Sequence, residues 1–222
     1  MANLKSIVTF LNKHLDQGKF SEDDSWNGLQ VEGRKEVKRV AFAVTAGLDV
    51  FKKAKKGGAD MIVAHHGIFW EKANPSVVGW YKKRISFLLD NNLSFYASHL
   101  PLDAHPEHGN NAQIIKLLEG DIKEGFVHSG KENIGWIGEC KTTSLKEIVS
   151  KLEKKLKADC IVLNYGKKKI KRIAVVSGGS PLSVFEARNR GQVPFREIGD
   201  GSLLVGEFGP VQYYTGFHFF EK

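Results

Sequence analysis

Apolar segments alternate with amphipathic segments between residues 37 and 120 of the chain. Short runs rich in Val, Ile, Ala and Phe are typical of buried strands, whereas apolar residues every three or four positions are typical of helices. The order strand–helix–strand–helix favours an α/β fold with a largely parallel sheet flanked by helices. The predicted strands are 37–46, 59–64 and 93–98, and the predicted helices are 4–15, 48–58, 82–92 and 111–120.

The region after residue 120 follows a different pattern. Residues 133–140 and 159–166 resemble strands, and residues 144–157 between them are amphipathic and begin with the helix-capping residue Ser144. Residues 168–180 return to a buried strand and a glycine turn. We therefore predict a first α/β lobe, a smaller strand–helix–strand lobe, and a return to the main lobe with an atypical C-terminus: 1–125, 126–168 and 169–222.

The composition favours a folded cytoplasmic protein. Hydrophobic residues make up 41% of the 222 residues and charged residues 26%, which argues against disorder. No apolar run approaches the ~20 residues of a membrane span, and the amphipathic N-terminus lacks a signal-peptide pattern. Cys140 and Cys160 have no CxxC spacing, so we expect free thiols without a zinc role.

The net charge of +8 has two interpretations. Clustered lysines and arginines attract phosphate groups of nucleotides or nucleic acids. They also occur simply as a solvated surface, and here no interleaved aromatic residues or groove-reading motif accompany them. We favour the solvated surface and consider nucleic acid an unlikely partner. The densest basic run comprises Lys167, Lys168, Lys169, Lys171 and Arg172.

Histidines concentrate in two segments, VAHHGIFW (63–70) and SHLPLDAHPEHGNN (98–111). These segments hold five of the eight histidines of the chain: His65, His66, His99, His105 and His108. Each segment follows a predicted strand, and ligands of open α/β sheets gather at the carboxyl ends of the strands. The two segments are therefore expected to form one site.

The residue types in these segments permit metal binding. Histidine nitrogen and aspartate oxygen bind zinc, iron, manganese or nickel, so the sequence leaves the identity of the metal open. Gly67 would let the backbone turn so that His65 and His66 both reach the site. Asp103 can bridge two ions ~3.5–4 Å apart. Pro101 and Pro106 are expected to hold the loop around Asp103 extended.

Structural explanations compete with this interpretation. Two adjacent histidines are commonly surface residues, and Asp103 could cap a turn. His99 could be a buried histidine bonded to a carbonyl group, while His105 and His108 could be exposed or could orient metal ligands from behind. Taken singly, each segment favours the structural explanation. Taken together at two strand ends, the two segments make metal binding about as well supported as the structural explanation.

Longer motifs make the chain resemble one family, the Ngg-interacting-factor-three-like proteins with dinuclear metal centres, also described as GTP cyclohydrolase I type 2 homologues. The resemblance is carried most specifically by the two histidine segments. It extends over most of residues 4–180, and the matching stretches are WNGLQVEG (26–33), GADMIVAHHGIFW (58–70), SHLPLDAHPEHGNNAQ (98–113), VVSGGS (175–180) and VGE (205–207).

The resemblance implies two divalent metal ions held by His65, His66 and Asp103, with Asp103 as the bridging ligand. It implies that His99 lines the site and that Glu207 matches an acidic position near it; these two are our candidate catalytic residues for proton transfer. It also implies a toroidal homohexamer. The activity suggested is metal-dependent hydrolysis of a nucleotide or another phosphorylated small molecule. The alternative function is a non-catalytic metal-binding assembly or interaction protein.

The C-terminal part departs from the family pattern. The family has further ligands in a GHxxTE-type motif, which this chain lacks, and the stretch from Arg188 to Tyr214 fits the family poorly. His218 and Glu221 stand three positions apart instead of four. Either they act as ligands in a shifted register, or the chain lacks two ligands and its site is weak or mononuclear. Local similarity favours the second interpretation.

Overall fold

The computed structural model describes residues 1–160, 162, 169–178, 183, 186–187 and 202–205. Two compact units divide the described chain, the first ending at Leu102 and the second beginning at Asp103. The three-part division expected from the sequence stays a prediction. Among the described residues, no helix combines the length and the apolar character needed to cross a membrane.

The first unit contains the predicted alternation of strands and helices. Its elements are β1 (Ala2–Asn3), α1 (Leu4–His14), β2 (Gly28–Val31), β3 (Glu36–Val37), β4 (Val40–Ala43), α2 (Leu48–Lys56), β5 (Met61–Ala64), α3 (Gly79–Asp90) and β6 (Ser94–Ala97). A short helix, α4 (Leu100–Ala104), follows at the boundary between the units.

A four-stranded sheet in the order β2–β6–β5–β4 organises the first unit. The pairs β4–β5 and β5–β6 are parallel, as the alternation predicts, whereas β2 joins the edge antiparallel to β6. Two apolar clusters bury the sheet. One centres on Phe51 and Phe95 beneath α2 and α3, and the other packs Leu4 and Leu15, at the ends of α1, with Tyr96.

The second unit has a different sheet. Its elements are α5 (Asn110–Leu117), β7 (Asp121–Ser129), β8 (Glu132–Ser144), α6 (Leu145–Leu156), β9 (Lys169–Val175) and β10 (Ser202–Val205). The strand order is β10–β9–β8–β7, and only the β10–β9 pair is parallel. The apolar core between this sheet and its helices includes Ile115, Ile148, Leu152, Ile173 and Val175.

The expectation of a largely parallel sheet is therefore wrong for the molecule as a whole, whose sheets are mixed or antiparallel. The main cause is the β7–β8 hairpin. Gly130, with φ of +60°, occupies the first of the two turn positions between these strands, a conformation that suits glycine and reverses the chain within two residues. A chain that returns directly can pair only antiparallel.

The helix predicted at 144–157 is confirmed as α6. The Ser144 hydroxyl accepts a hydrogen bond from the Glu147 amide at 3.3 Å, and the Glu147 carboxylate accepts one from the Ser144 amide at 2.8 Å. Hydrogen bonds from the Thr143 hydroxyl, the Ser144 amide and the Ser144 hydroxyl lower the pKa of Glu147 to about 2. The predicted strand 159–166 lies mostly outside the described residues.

Candidate metal centre

Two neighbouring strand ends bring three histidines together. His65 and His66 follow β5, and His99 stands two residues after β6. These strands are parallel and adjacent, with Ala64 opposite Ala97 in the register. Each of the three side chains offers a nitrogen atom within 4.8 Å of those offered by the other two. The structure thus confirms the prediction that the two histidine segments meet.

The three imidazole rings form a compact, half-buried cluster. The ring centroids of His65 and His66 are 4.6 Å apart, those of His65 and His99 are 5.1 Å apart, and those of His66 and His99 are 5.7 Å apart. Trp70 stands edge-on to His99, with 5.1 Å between the centroids. Its indole ring therefore packs against one side of the cluster.

His65 is held in a protonation form that suits metal binding. Its Nδ1 atom lies 3.0 Å from the carbonyl oxygen of Ser98. Because a carbonyl oxygen can only accept a hydrogen bond, Nδ1 donates, and in the neutral ring Nε2 then carries the lone pair. Metal-binding histidines commonly show this arrangement, with one ring nitrogen donating to a carbonyl or carboxylate oxygen. The donor set therefore fits a divalent cation.

The turn after His66 is held by hydrogen bonds that involve the side chains of Gln30 and Trp70. The Gln30 Oε1 atom accepts the amide hydrogen of Ile68 at 2.7 Å, and the Trp70 indole donates to the Gly67 carbonyl at 3.1 Å. Gly67 does not have the left-handed conformation that would explain a glycine turn. A Cβ atom at this position would instead collide with the Gln30 amide. A larger residue here would require the Gln30 side chain to move.

Asp23 is a site residue that the sequence analysis missed. Its Oδ1 atom lies 2.8 Å from His99 Nδ1, and its Oδ2 atom accepts the Leu100 amide at 3.0 Å and the Asn27 side chain at 2.7 Å. Burial by itself would raise the pKa of Asp23. The hydrogen bond and charge of His99, with further hydrogen bonds from Asn27 and the Ser25 amide, outweigh burial and lower it.

Asp103 occupies a helix rather than an extended loop. The expectation that Pro101 and Pro106 keep this segment extended is wrong, because residues 100–104 form α4 and Pro101 is compatible with the first turn of a helix. Asp103 is buried, and its Oδ1 atom accepts a hydrogen bond from the Asn110 side chain at 2.8 Å. Its role as a bridging ligand stays a prediction.

The remaining candidates divide into two groups. His105 accepts hydrogen bonds on Nδ1 from the amides of Glu107 and His108, both at 3.1 Å, which supports the structural explanation for this histidine. Glu207, His218 and Glu221 lie outside the described residues.

Comparison with known proteins identifies the family of the chain. A family profile, Duf34/NIF3 (NGG1p interacting factor 3), matches residues 2–192. The chain belongs to the Duf34/NIF3 family. The resemblance found in the two histidine segments is thereby confirmed, and both segments lie within the matched region.

Relatives of this Duf34/NIF3 chain cover most of its length. A GTP cyclohydrolase 1 type 2 homolog of Pyrococcus horikoshii is 44% identical over 93% of the chain and 79% of the relative, and one of Pyrococcus abyssi is 39% identical over 95% and 81%. A solved structure, protein ybgI of unknown function, has a TM-score of 0.82 and 30% identity over 96% of the chain and 82% of that protein. The α/β fold is therefore that of the family.

Proposed function

We propose that this Duf34/NIF3 protein binds divalent metal at His65, His66 and His99 and is a metal-dependent hydrolase of a nucleotide or another phosphorylated small molecule. The observation that carries the proposal is the trio of histidine nitrogens within 4.8 Å of one another at two parallel strand ends. The family resemblance of the sequence adds Asp103 as a further ligand and a second ion as its partner. It also adds Glu207 as a residue for proton transfer; His99, given the same role from the sequence, serves in this proposal as a metal ligand instead.

The chain supplies three things to such a reaction. Ser98 sets the His65 proton on Nδ1, which leaves Nε2 to bind the cation. Trp70 covers one side of the His99 ring. The net charge of +8 favours an anionic substrate. When bound, a divalent cation supplies Lewis acidity toward a carbonyl or phosphoryl oxygen. The name of these relatives, GTP cyclohydrolase 1 type 2 homolog, supports a nucleotide as the substrate.

An open cavity lies beside Asp23. Its volume is about 320 Å³, and Asp23 itself touches His99. Within the described part of the chain, the buried Ser25 hydroxyl and the Gln17 Oε1 atom have no hydrogen-bond partner, so polar groups remain for a ligand there. The cavity is lined by Gln17, Phe20, Ser21, Asp23, Ser25, Trp26, Asn27 and Glu71.

Elemental analysis of protein purified without an affinity tag tests the metal site. We expect wild-type protein to contain divalent metal and His65→Ala to lose most of it, because the variant removes one of three converging donors. The matched control is His14→Ala, since His14 is exposed on α1 and stacks on Phe10. Equal metal content in wild type and His65→Ala would refute the site.

Hydrolysis assays test the activity. Nucleoside triphosphates and simple phosphate esters are supplied to metal-loaded protein, and product is measured with and without chelator. We expect turnover that chelation abolishes and that His65→Ala and Asp103→Ala lower by at least about a hundredfold, in line with the loss of catalytic metal. Turnover that is the same in both variants as in wild type would contradict the assignment.

The alternative is a non-catalytic metal-binding assembly, and one observation favours an interaction surface. Val77, Val78 and Trp80 are 51%, 67% and 56% exposed at the start of α3, and such apolar surface commonly marks an interface. The homohexamer remains part of the proposal. Under this alternative, chelation would change the mass in solution or the melting temperature while no turnover is found for any substrate.

A further inference from the structure

We infer that Asp23 is a positioning residue that sets the protonation form and the orientation of His99, so that His99 presents Nε2 to a metal ion. This inference rests on the metal site proposed above. It gives a role in metal binding to the buried carboxylate of Asp23, which lies in a segment without a metal-binding motif.

The position of Asp23 is defined by four hydrogen bonds. Oδ1 accepts the Ser25 amide at 3.0 Å and faces His99 Nδ1 at 2.8 Å. Oδ2 accepts the Leu100 amide at 3.0 Å and the Asn27 side chain at 2.7 Å. Each carboxylate oxygen therefore has two donors, which fixes both the position and the plane of the group.

This geometry determines which nitrogen of His99 carries the proton. An ionised carboxylate only accepts hydrogen bonds, so His99 Nδ1 must donate, and the neutral ring then carries its lone pair on Nε2. The arrangement carboxylate–histidine–metal recurs in metalloproteins, where it fixes the ring and raises its basicity. The backbone of the same residue is fixed separately, because the Asn27 Oδ1 atom accepts the His99 amide at 2.7 Å.

The loop that carries Asp23 is anchored to the turn after His66. The Trp26 amide donates to the Phe69 carbonyl at 3.2 Å, and the Glu71 amide donates to the Asp24 carbonyl at 2.7 Å. The Asp23 side chain is 1% exposed, so solvent does not compete for its hydrogen bonds. The loop therefore joins the ends of both strands that supply the histidines.

The first test measures the proton directly. Long-range ¹H–¹⁵N NMR spectra of metal-free protein at about pH 8.5, where an ordinary histidine is neutral, distinguish the two forms of the ring. We expect His99 to carry its proton on Nδ1 alone. A proton on Nε2, either alone or together with one on Nδ1, overturns the inference, and this result needs no variant that could fail to fold.

Asp23→Asn extends the test at nearly unchanged side-chain size. Turned toward Leu100 and Asn27, the new amide group would face two donors that cannot change. Turned toward His99, it faces one donor that cannot change, the Ser25 amide, and a ring that can move its proton to Nε2, so we expect this orientation and this shift. Zinc affinity, measured by competition with a chromophoric chelator, should fall at least about tenfold. A variant that keeps the Nδ1 proton and wild-type affinity contradicts the inference.

Asp24→Asn is the matched control. Asp24 is the next residue, binds Lys72 at 2.9 Å, and its backbone carbonyl holds Glu71. We expect the protonation form of His99 and the zinc affinity to stay those of wild type; a change equal to that in Asp23→Asn would reduce the role of Asp23 to loop folding and overturn the inference. If wild type binds no zinc, the metal site fails, whereas the NMR measurement on metal-free protein still decides the role of Asp23.

Discussion

The two units of the chain use buried polar groups differently. In the first unit, the carboxylates of Asp23 and Asp60 are buried, and each accepts backbone amide hydrogens from a segment distant in sequence. In the second unit, the ion pairs Lys151–Glu119, Lys171–Glu139 and Arg172–Glu124 lie at the surface. Its buried polar residues include Asp103, whose carboxylate accepts a hydrogen bond from Asn110 in the next turn of the chain, and Asn111, which donates to the carbonyls of Asp103 and Ile134.

This difference indicates where the fold is shaped for chemistry. A buried carboxylate is costly unless its hydrogen bonds are complete, so it persists where it holds loops in place. Asp60 holds the chain before β4 at the amino ends of the strands, and Asp23 holds the chain at the carboxyl ends, beside His99. The second unit joins its long-range elements mainly through apolar packing.

Truncation of the apolar core of the second unit should have the largest effect. Ile173 is fully buried in β9, so Ile173→Ala should lower the free energy of unfolding by about 2–5 kcal/mol through lost burial and a cavity. Denaturation by urea, followed by circular dichroism, measures it. Lys171→Ala on the same strand is the control and should change stability by less than about 0.5 kcal/mol, because Lys171 is exposed. Equal effects would contradict the role given to apolar packing.

An intermediate loss is expected from Asp60→Asn in the first unit. The Asp60 carboxylate accepts the amides of Lys38 at 2.8 Å and Arg39 at 3.1 Å and pairs with Arg34 at 2.9 Å. Both amides bond to Oδ2, so the asparagine oxygen can keep them, but its NH₂ group then faces the Arg34 guanidinium, and the lost ion pair and opposed donors should cost about 1–3 kcal/mol near neutral pH. Asp90→Asn is the control, since Asp90 is exposed, and should shift stability by less than about 0.5 kcal/mol.

The cost of Asp60→Asn should depend on pH. Burial would raise the pKa of Asp60, but the amides of Lys38 and Arg39, with the charge of Arg34, lower it below its ordinary value. A lowered pKa adds stability that is fully present above the unfolded-state pKa, about 3.9, and disappears as pH falls through the folded-state pKa. The gap between wild type and variant should therefore narrow below about pH 4. A gap that widens in acid would contradict this sign.

Much of the first unit could be predicted because its signals are local. Apolar runs and helical periodicity identified β4, β5, β6 and the helices between them. The edge strand β2 was missed because it is short and lies in a polar segment. The strand β7 was missed because most of its side chains are exposed or half-buried, so its sequence lacks an apolar run. Without β7, the hairpin and the antiparallel character of the second sheet could not be predicted.

In the candidate site, the three histidines could likewise be predicted from local signals, whereas Asp23 could not. The histidines stand directly after apolar strands, so strand order alone brings His65, His66 and His99 together. Asp23 is 76 residues from His99 in sequence and follows no strand. Its pairing with His99 depends on how the loop packs, which no local pattern encodes. The same holds for Gln30, whose side-chain amide lies against Gly67 and accepts the Ile68 amide.

The smallest effect should come from Ser144→Ala, which removes a local polar contact in the second unit. The Ser144 hydroxyl caps α6 through the Glu147 amide, so its loss should lower the free energy of unfolding by about 1 kcal/mol. Ser150→Ala is the matched control, because Ser150 is exposed inside the same helix, where alanine is at least as favourable. Urea denaturation of both variants separates the two roles. A loss from Ser144→Ala as large as that from Asp60→Asn would erase the distinction between local capping in the second unit and long-range polar contacts in the first.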